Sequence, residues 1–152
     1  MNNYDEIMKH LTERFGKDTV ISLATISLTP SPTGSRPAVR NVNAYYEDGA
    51  FYTVTYSKSN KMQEIAANTQ VALDACFEWF TASGTGENLG WVRDEKNAEM
   101  MDKLRVVFAE WYDNGHTNEE DPNTCLLRIR LTSGVLLREG TRYEIDFVSK
   151  TA

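Results

Sequence analysis

The stretch that most constrains the fold runs from Pro37 to Tyr56, where two apolar, β-branched segments flank Glu47-Asp48-Gly49. Strand residues, a short polar turn ending in glycine, and strand residues again specify a β-hairpin, Pro37–Tyr46 with Ala50–Tyr56. An isolated hairpin is barely stable in water, so it must find further strands or helices to cover its apolar face. The rest of the chain supplies both. Thr19–Leu28 predicts a buried strand, Gln70–Phe80 another, and glycine-rich Thr81–Val92 an irregular or bulged one carrying Leu89, Trp91 and Val92. Cys125–Thr132, Val135–Arg138 and Arg142–Phe147 follow, the last with Tyr143, Ile145 and Phe147 alternating against Arg142, Glu144 and Asp146.

Three helices are predicted beside them. Tyr4, Ile7, Met8, Leu11 and Phe15 recur at helical spacing up to Gly16. A short helix begins near Ser59 with Met62, Ile65 and Ala66 on one face. Asp94 is placed to cap a long one bearing Ala98, Met101, Leu104, Phe108 and Trp111. Thr29–Arg36, with Pro30, Pro32 and Gly34, is a loop, as is polar Asp113–Thr124. No strand–helix–strand repeat appears, which excludes a doubly wound sheet. The expectation is a mainly β chain, a mostly antiparallel barrel with peripheral helices, forming one domain over residues 1–152.

Charge narrows the functions. A formal net charge of −6 without a lysine- or arginine-rich run argues against nucleic acid as a partner. The apolar runs Val20–Leu28 and Val71–Phe80 are interrupted by polar residues and fall short of the ~20 residues that span a bilayer. Met1–Glu6 is polar, unlike a secretory signal, and Cys76 and Cys125 sit in apolar strand-like runs as expected of free buried thiols. A cytoplasmic protein with no membrane partner is the expectation.

Gly84, Gly86 and Gly90 have the wrong spacing for a dinucleotide fingerprint and open no helix. His10 and His116 fall on different elements with no ligand-spaced neighbours, so no metal is expected, and no G-x-S-x-G elbow marks a nucleophile. The informative group is Arg40, Thr55, Ser59 and Lys61. Ser59-Asn60-Lys61 lies where the third strand feeds a helix, and a helix N-terminus offers unpaired N–H groups and partial positive charge to a phosphate. Hydroxyls at Thr55 and Ser59 and cations at Arg40 and Lys61 would complete such a site. The alternative makes Ser59 an ordinary N-cap and both cations solvated surface.

The succession Leu23-Ala24-Thr25, Arg40-Asn41-Val42, Phe51-Tyr52-Thr53-Val54-Thr55 and Ser59-Asn60-Lys61 resembles the pyridoxamine 5′-phosphate oxidase-like FMN-binding split barrels. Trp111-Tyr112, Asp121-Pro122 and Leu126-Leu127-Arg128-Ile129 look like the second half of the general-stress flavoprotein branch, so the similarity covers roughly residues 18–132. The resemblance implies an antiparallel, six-stranded split barrel of Greek-key type, homodimeric, with FMN at the subunit interface. It implies phosphate contacts from Arg40, Thr55, Ser59 and Lys61, with Asn60 between them, and flanking of the flavin ring by the backbone of Asn41, Val42 and Val54.

Asn60 stands where many relatives have arginine, which removes one cation from the phosphate shell. A late-strand tryptophan of the general-stress branch is missing near Val135–Arg138, and the arginine- and histidine-bearing C-terminal segment of true pyridoxamine phosphate oxidases has no counterpart, so that activity is not assigned. The implied function is an FMN-dependent oxidoreductase of unknown substrate. The alternatives are a non-catalytic flavin binder acting under stress, or the same barrel with a deazaflavin or haem. Trp91, Trp111, Tyr45 and Tyr56 are candidates either to wall the flavin pocket or to pack in the core.

Overall fold

The computed structural model describes residues 2–75 and 77–152, and Cys76 lies outside the described residues. Its strands are β1 (Thr19–Ile26), β2 (Pro37–Glu47), β3 (Ala50–Tyr56), β4 (Gln70–Ala75), β5 (Phe80–Trp91), β6 (Thr124–Arg138) and β7 (Thr141–Asp146). Its α-helices are α1 (Asn3–Phe15), α2 (Asn60–Ala67) and α3 (Ala98–Val107). The sheet order is β3-β2-β1-β4-β5-β6-β7, and pairing of β3 with β6 from Ala50↔Arg130 to Tyr56↔Thr124 closes six strands into an antiparallel barrel. Strand β7 is a hairpin extension that pairs with β6 from Ser133 onward.

The barrel interior is filled by alternate side chains, as the period-two pattern requires. Helix α1 covers one end: Ile7, Leu11 and Phe15 are buried, and Phe15 stacks on Phe80 with ring centroids 5.6 Å apart. Helix α2 covers the other end with Met62 and Ile65. It seats closely because β5 has no side chain below it at Gly86, where a Cβ would lie 2.9 Å from Ile65 Cγ2. A second apolar cluster lies outside the barrel, where Tyr45, Tyr52, Val54 and Leu126 meet Met101, Leu104 and Phe108 at α3.

The structure corrects several boundaries. The stretch Gln70–Phe80 is not one strand: β4 stops at Ala75 and a tight turn at Phe77–Trp79 starts β5, with Phe77 and Trp79 at φ of 66° and 55°. The expected irregular strand Thr81–Val92 is the twelve-residue β5, which starts at Phe80, stops at Trp91 and leaves Val92 in the following turn, with register shifts at Ser83/Gly84 and Asn88/Trp91. A methyl group on Gly84 would run into the Arg130 carbonyl, so the glycine is required by close approach at the shift. Cys125–Thr132 and Val135–Arg138 are one strand, β6, which passes through Gly134 without breaking. The long helix after Asp94 is a 3₁₀ turn, Glu95–Asn97, followed by α3, which ends at Val107. Trp111 lies past the helix end and donates its indole N–H to Asp18 at 2.8 Å on another part of the chain.

Candidate functional site

The β2–β3 hairpin is paired only near its turn, at Tyr45↔Tyr52, Tyr46↔Phe51 and Glu47↔Ala50. Beyond those pairs the strands part. β2 continues along β1, with Arg40 opposite Leu23, while β3 continues along β6, with Thr55 opposite Cys125. Arg40, Asn41 and Val42 therefore lie on one parted strand, Val54 and Thr55 on the other. The chain leaving β3 turns directly into α2, so Ser59, Asn60 and Lys61 stand at this end of the barrel.

Arg40 is not solvated surface. Its Nη1 donates to Thr25 Oγ1 at 2.7 Å and to the Leu23 carbonyl at 3.3 Å, and its Nη2 donates to Glu64 Oε1 at 2.8 Å. The Thr25 hydroxyl donates to the same Glu64 oxygen at 2.8 Å. Thr25 and Glu64 are both buried, so the network ties β1 and β2 to α2. Sequence reasoning missed Glu64. Its signal was a polar residue between Met62 and Ile65 on the inward face of a short helix.

Ser59 occupies the N-cap position of α2 with extended backbone, yet its side chain makes no capping hydrogen bond. Its Oγ is buried and has no partner. The ordinary-cap alternative thus fails at the hydroxyl, and a buried polar group without a partner ordinarily costs about 1–3 kcal/mol. No acidic residue sits in the first turn of α2, so its N–H groups and partial positive charge are not internally neutralised. Asn60 is exposed at the first helical position.

Lys61 is half-buried and has no carboxylate partner among the described residues. Burial, then repulsion from Arg40, pulls its pKa below the usual lysine value. Cys125, facing the same end, is a free thiol pushed up to about 11 by burial, with Lys61 acting against that shift. A half-buried ammonium with no carboxylate partner among the described residues, two positions after an unbonded hydroxyl at a helix N-terminus, is chemically matched to a phosphate ester.

The other expected contributors divide. Val42 packs on the barrel core, whereas Val54 faces the outer cluster. Asn41 points outward, its Oδ1 accepting from Ser22 Oγ at 2.9 Å. Trp111 and Tyr45 pack in the outer cluster, Trp91 donates its indole N–H to the Glu119 carbonyl, and Tyr56 is exposed at the end of β3. A hollow of about 640 Å³ opens on the outer face of β1, β4, β5 and β6, between Ser22, Ala72, Asp74 and Val135, and none of the eight expected contributors lines it. His10 lies on α1 and His116 in an exposed loop. Among the described residues no group of three metal-ligating side chains is found, and no helix is long and apolar enough to cross a membrane.

Comparison with solved structures places the same architecture in several proteins. General stress protein 26 from Bacillus anthracis superposes with a TM-score of 0.59 at 15% identity, covering 85% of this chain and 92% of that one. An FAD-binding protein from Mesorhizobium loti gives 0.57 at 16% identity, covering 83% and 90%. A heme-binding protein from Mycobacterium smegmatis gives 0.64 at 13% identity, covering 99% of this chain and 60% of that one. No curated protein sequence matches the chain. The family model for pyridoxamine 5′-phosphate oxidase matches residues 7–137, from the first helix through nearly all of β6. With the split antiparallel barrel in place and that match running across most of its length, the chain belongs to the pyridoxamine 5′-phosphate oxidase-like family of flavin-binding split barrels.

Proposed function

We propose that this chain is an FMN-binding flavoprotein, an oxidoreductase that works as a homodimer. One observation carries the reading. At the N-terminus of α2, where β2 and β3 part, the Ser59 hydroxyl is left without a partner, and two residues on Lys61 has no carboxylate partner among the described residues. The FMN phosphate would take its contacts from Lys61, the α2 N–H groups, Thr55 and, after rotation to another staggered position, the Ser59 hydroxyl. Arg40 would form the wall behind it, held by Glu64. The backbone of Asn41, Val42 and Val54 would flank the ring along the parted strands.

Bound flavin supplies hydride transfer, and the chain supplies orientation and a pocket. The thiol of Cys125 stays protonated at neutral pH, its pKa near 11, so it offers no nucleophile. At this end of the barrel the described carboxylate is buried and paired with Arg40 and the described thiol is protonated, which favours, as a second reading, a protein that binds flavin without turnover. The haem-binding relative suggests another ligand, but neither described histidine lies on β2, β3 or α2 to serve as an axial ligand. A second copy of the chain suits the outer face of β1 and β2, where Val20 and Val39 are 51% and 69% exposed.

The absorption spectrum of freshly purified protein tests the cofactor. Flavin bands in the blue support the reading, and a Soret band overturns it. A deazaflavin would show its own shifted band. Reduction of bound FMN by NADH or NADPH, followed by steady turnover, separates enzyme from binder. Sedimentation of the holoprotein as a dimer supports the assembly, and a flavin-loaded monomer refutes it.

A further inference from the structure

Glu64 is the feature of this end of the barrel that a phosphate site does not by itself require. It is 6% exposed and lies three residues after Lys61, on the same face of α2. Its Oε1 accepts from both the Arg40 guanidinium and the Thr25 hydroxyl. A buried ion pair seldom stabilises a fold better than apolar residues of similar size. Glu64 compensates the part-buried Arg40 charge, and the same carboxylate sets the net charge that an anionic ligand meets at this end of the barrel.

Resting on the phosphate-site reading above, we infer that Glu64 is a specificity-determining residue: its charge reduces the site's advantage for a doubly charged phosphomonoester over a singly charged phosphodiester. Arg40 is already compensated by Glu64, which leaves Lys61 and the helix N-terminus as the net attraction. Coulomb repulsion from the carboxylate scales with the ligand's charge, so a dianion is penalised twice as heavily as a monoanion. If Arg40 turns toward the ligand, Glu64 loses its partner and repels the dianion more strongly still. Asn60, exposed at the first helical position, adds no charge to offset this. Glu64 acts through charge and through Arg40, and touches no reacting atom.

The apoprotein is titrated with FMN, with riboflavin 4′,5′-cyclic phosphate and with riboflavin, following flavin fluorescence, for the wild type, Glu64→Gln and Lys61→Met. The cyclic ester keeps the ring system and carries one negative charge. Glu64→Gln is expected to strengthen FMN roughly tenfold more than the cyclic ester, widening the preference that the wild type shows. An unchanged ratio in a folded Glu64→Gln protein overturns the inference while leaving the phosphate site standing. Should that variant fail to fold, Glu64→Met, which keeps the stem without the charge, is titrated in its place and is expected to widen the FMN preference by the same factor, an unchanged ratio overturning the inference. Equal binding of riboflavin and FMN by wild type, unaltered in Lys61→Met, is a different result, and it removes the phosphate site itself.

Discussion

Lys61→Met should move stability and binding in opposite directions. In the free protein the ammonium is half-buried, has no carboxylate partner among the described residues, and is repelled by Arg40. Its pKa is therefore lower folded than unfolded. Between those two values the unfolded chain binds more protons, so stability rises with pH there, and below the folded value the penalty of the buried charge is present in full. Methionine matches the length of the stem and removes that penalty. The apo variant should melt higher than wild type at pH 7, and the gap should narrow as the pH rises through the folded pKa toward the usual lysine value. The same substitution removes one charge-assisted contact to the phosphate, a loss of about 1.5–3 kcal/mol or roughly 10- to 150-fold in Kd for FMN. Thermal melts of apoprotein from pH 7 to 11 and fluorescence titration with FMN read the two halves. A folded Lys61→Met protein with wild-type FMN affinity would refute the site, and a lower apo Tm would refute the claim that the cation is unpartnered.

Arg40→Ala should cost about 2–4 kcal/mol by urea denaturation, because it strands Glu64 with only the Thr25 hydroxyl, and adding Glu64→Gln should recover much of the loss. Gly86→Ala forces Ile65 away from β5 and should cost about 1–3 kcal/mol in the same assay, with a weaker Kd for FMN as α2 tilts; unaltered binding would show that the seating of α2 does not matter. At Glu119 burial raises the carboxyl pKa, but hydrogen bonds from Arg105, Tyr112 and Arg93 more than offset it and hold the group below its ordinary value. The stability lost in Glu119→Gln should thus be constant from pH 8 to about 5 and vanish as the pH falls through the folded pKa, which melts of both proteins would reveal. In a Cys76→Ser background, Cys125 should resist thiol reagents at pH 8 until the protein unfolds, since burial holds its thiol at about 11.

What was legible in the sequence follows the physics of each signal. The hairpin at Glu47-Asp48-Gly49 was plain because Asp48 and Gly49 adopt the positive φ that such turns demand, 47° and 80°. The turn after β4 was hidden for the opposite reason. Phe77 and Trp79 take positive φ without glycine or asparagine and are themselves 93% and 71% exposed, so an apolar run concealed a reversal. The four phosphate candidates were legible as residue types at a strand-to-helix junction, but their division of labour was not. Chain order cannot say that Glu64 pairs with Arg40 across the barrel end while Lys61 has no carboxylate partner among the described residues, because that depends on which strand closes beside which. Closure by β3 on β6, rather than along the whole of β2, parts the hairpin and opens the place where the phosphate site is proposed. Removing Arg40 and Lys61 together would mix the two roles, since the arginine supports the fold and the lysine does not. A comparison of Lys61→Met with the Arg40→Ala, Glu64→Gln pair keeps them apart: only the first should weaken FMN binding without lowering the stability of the free protein.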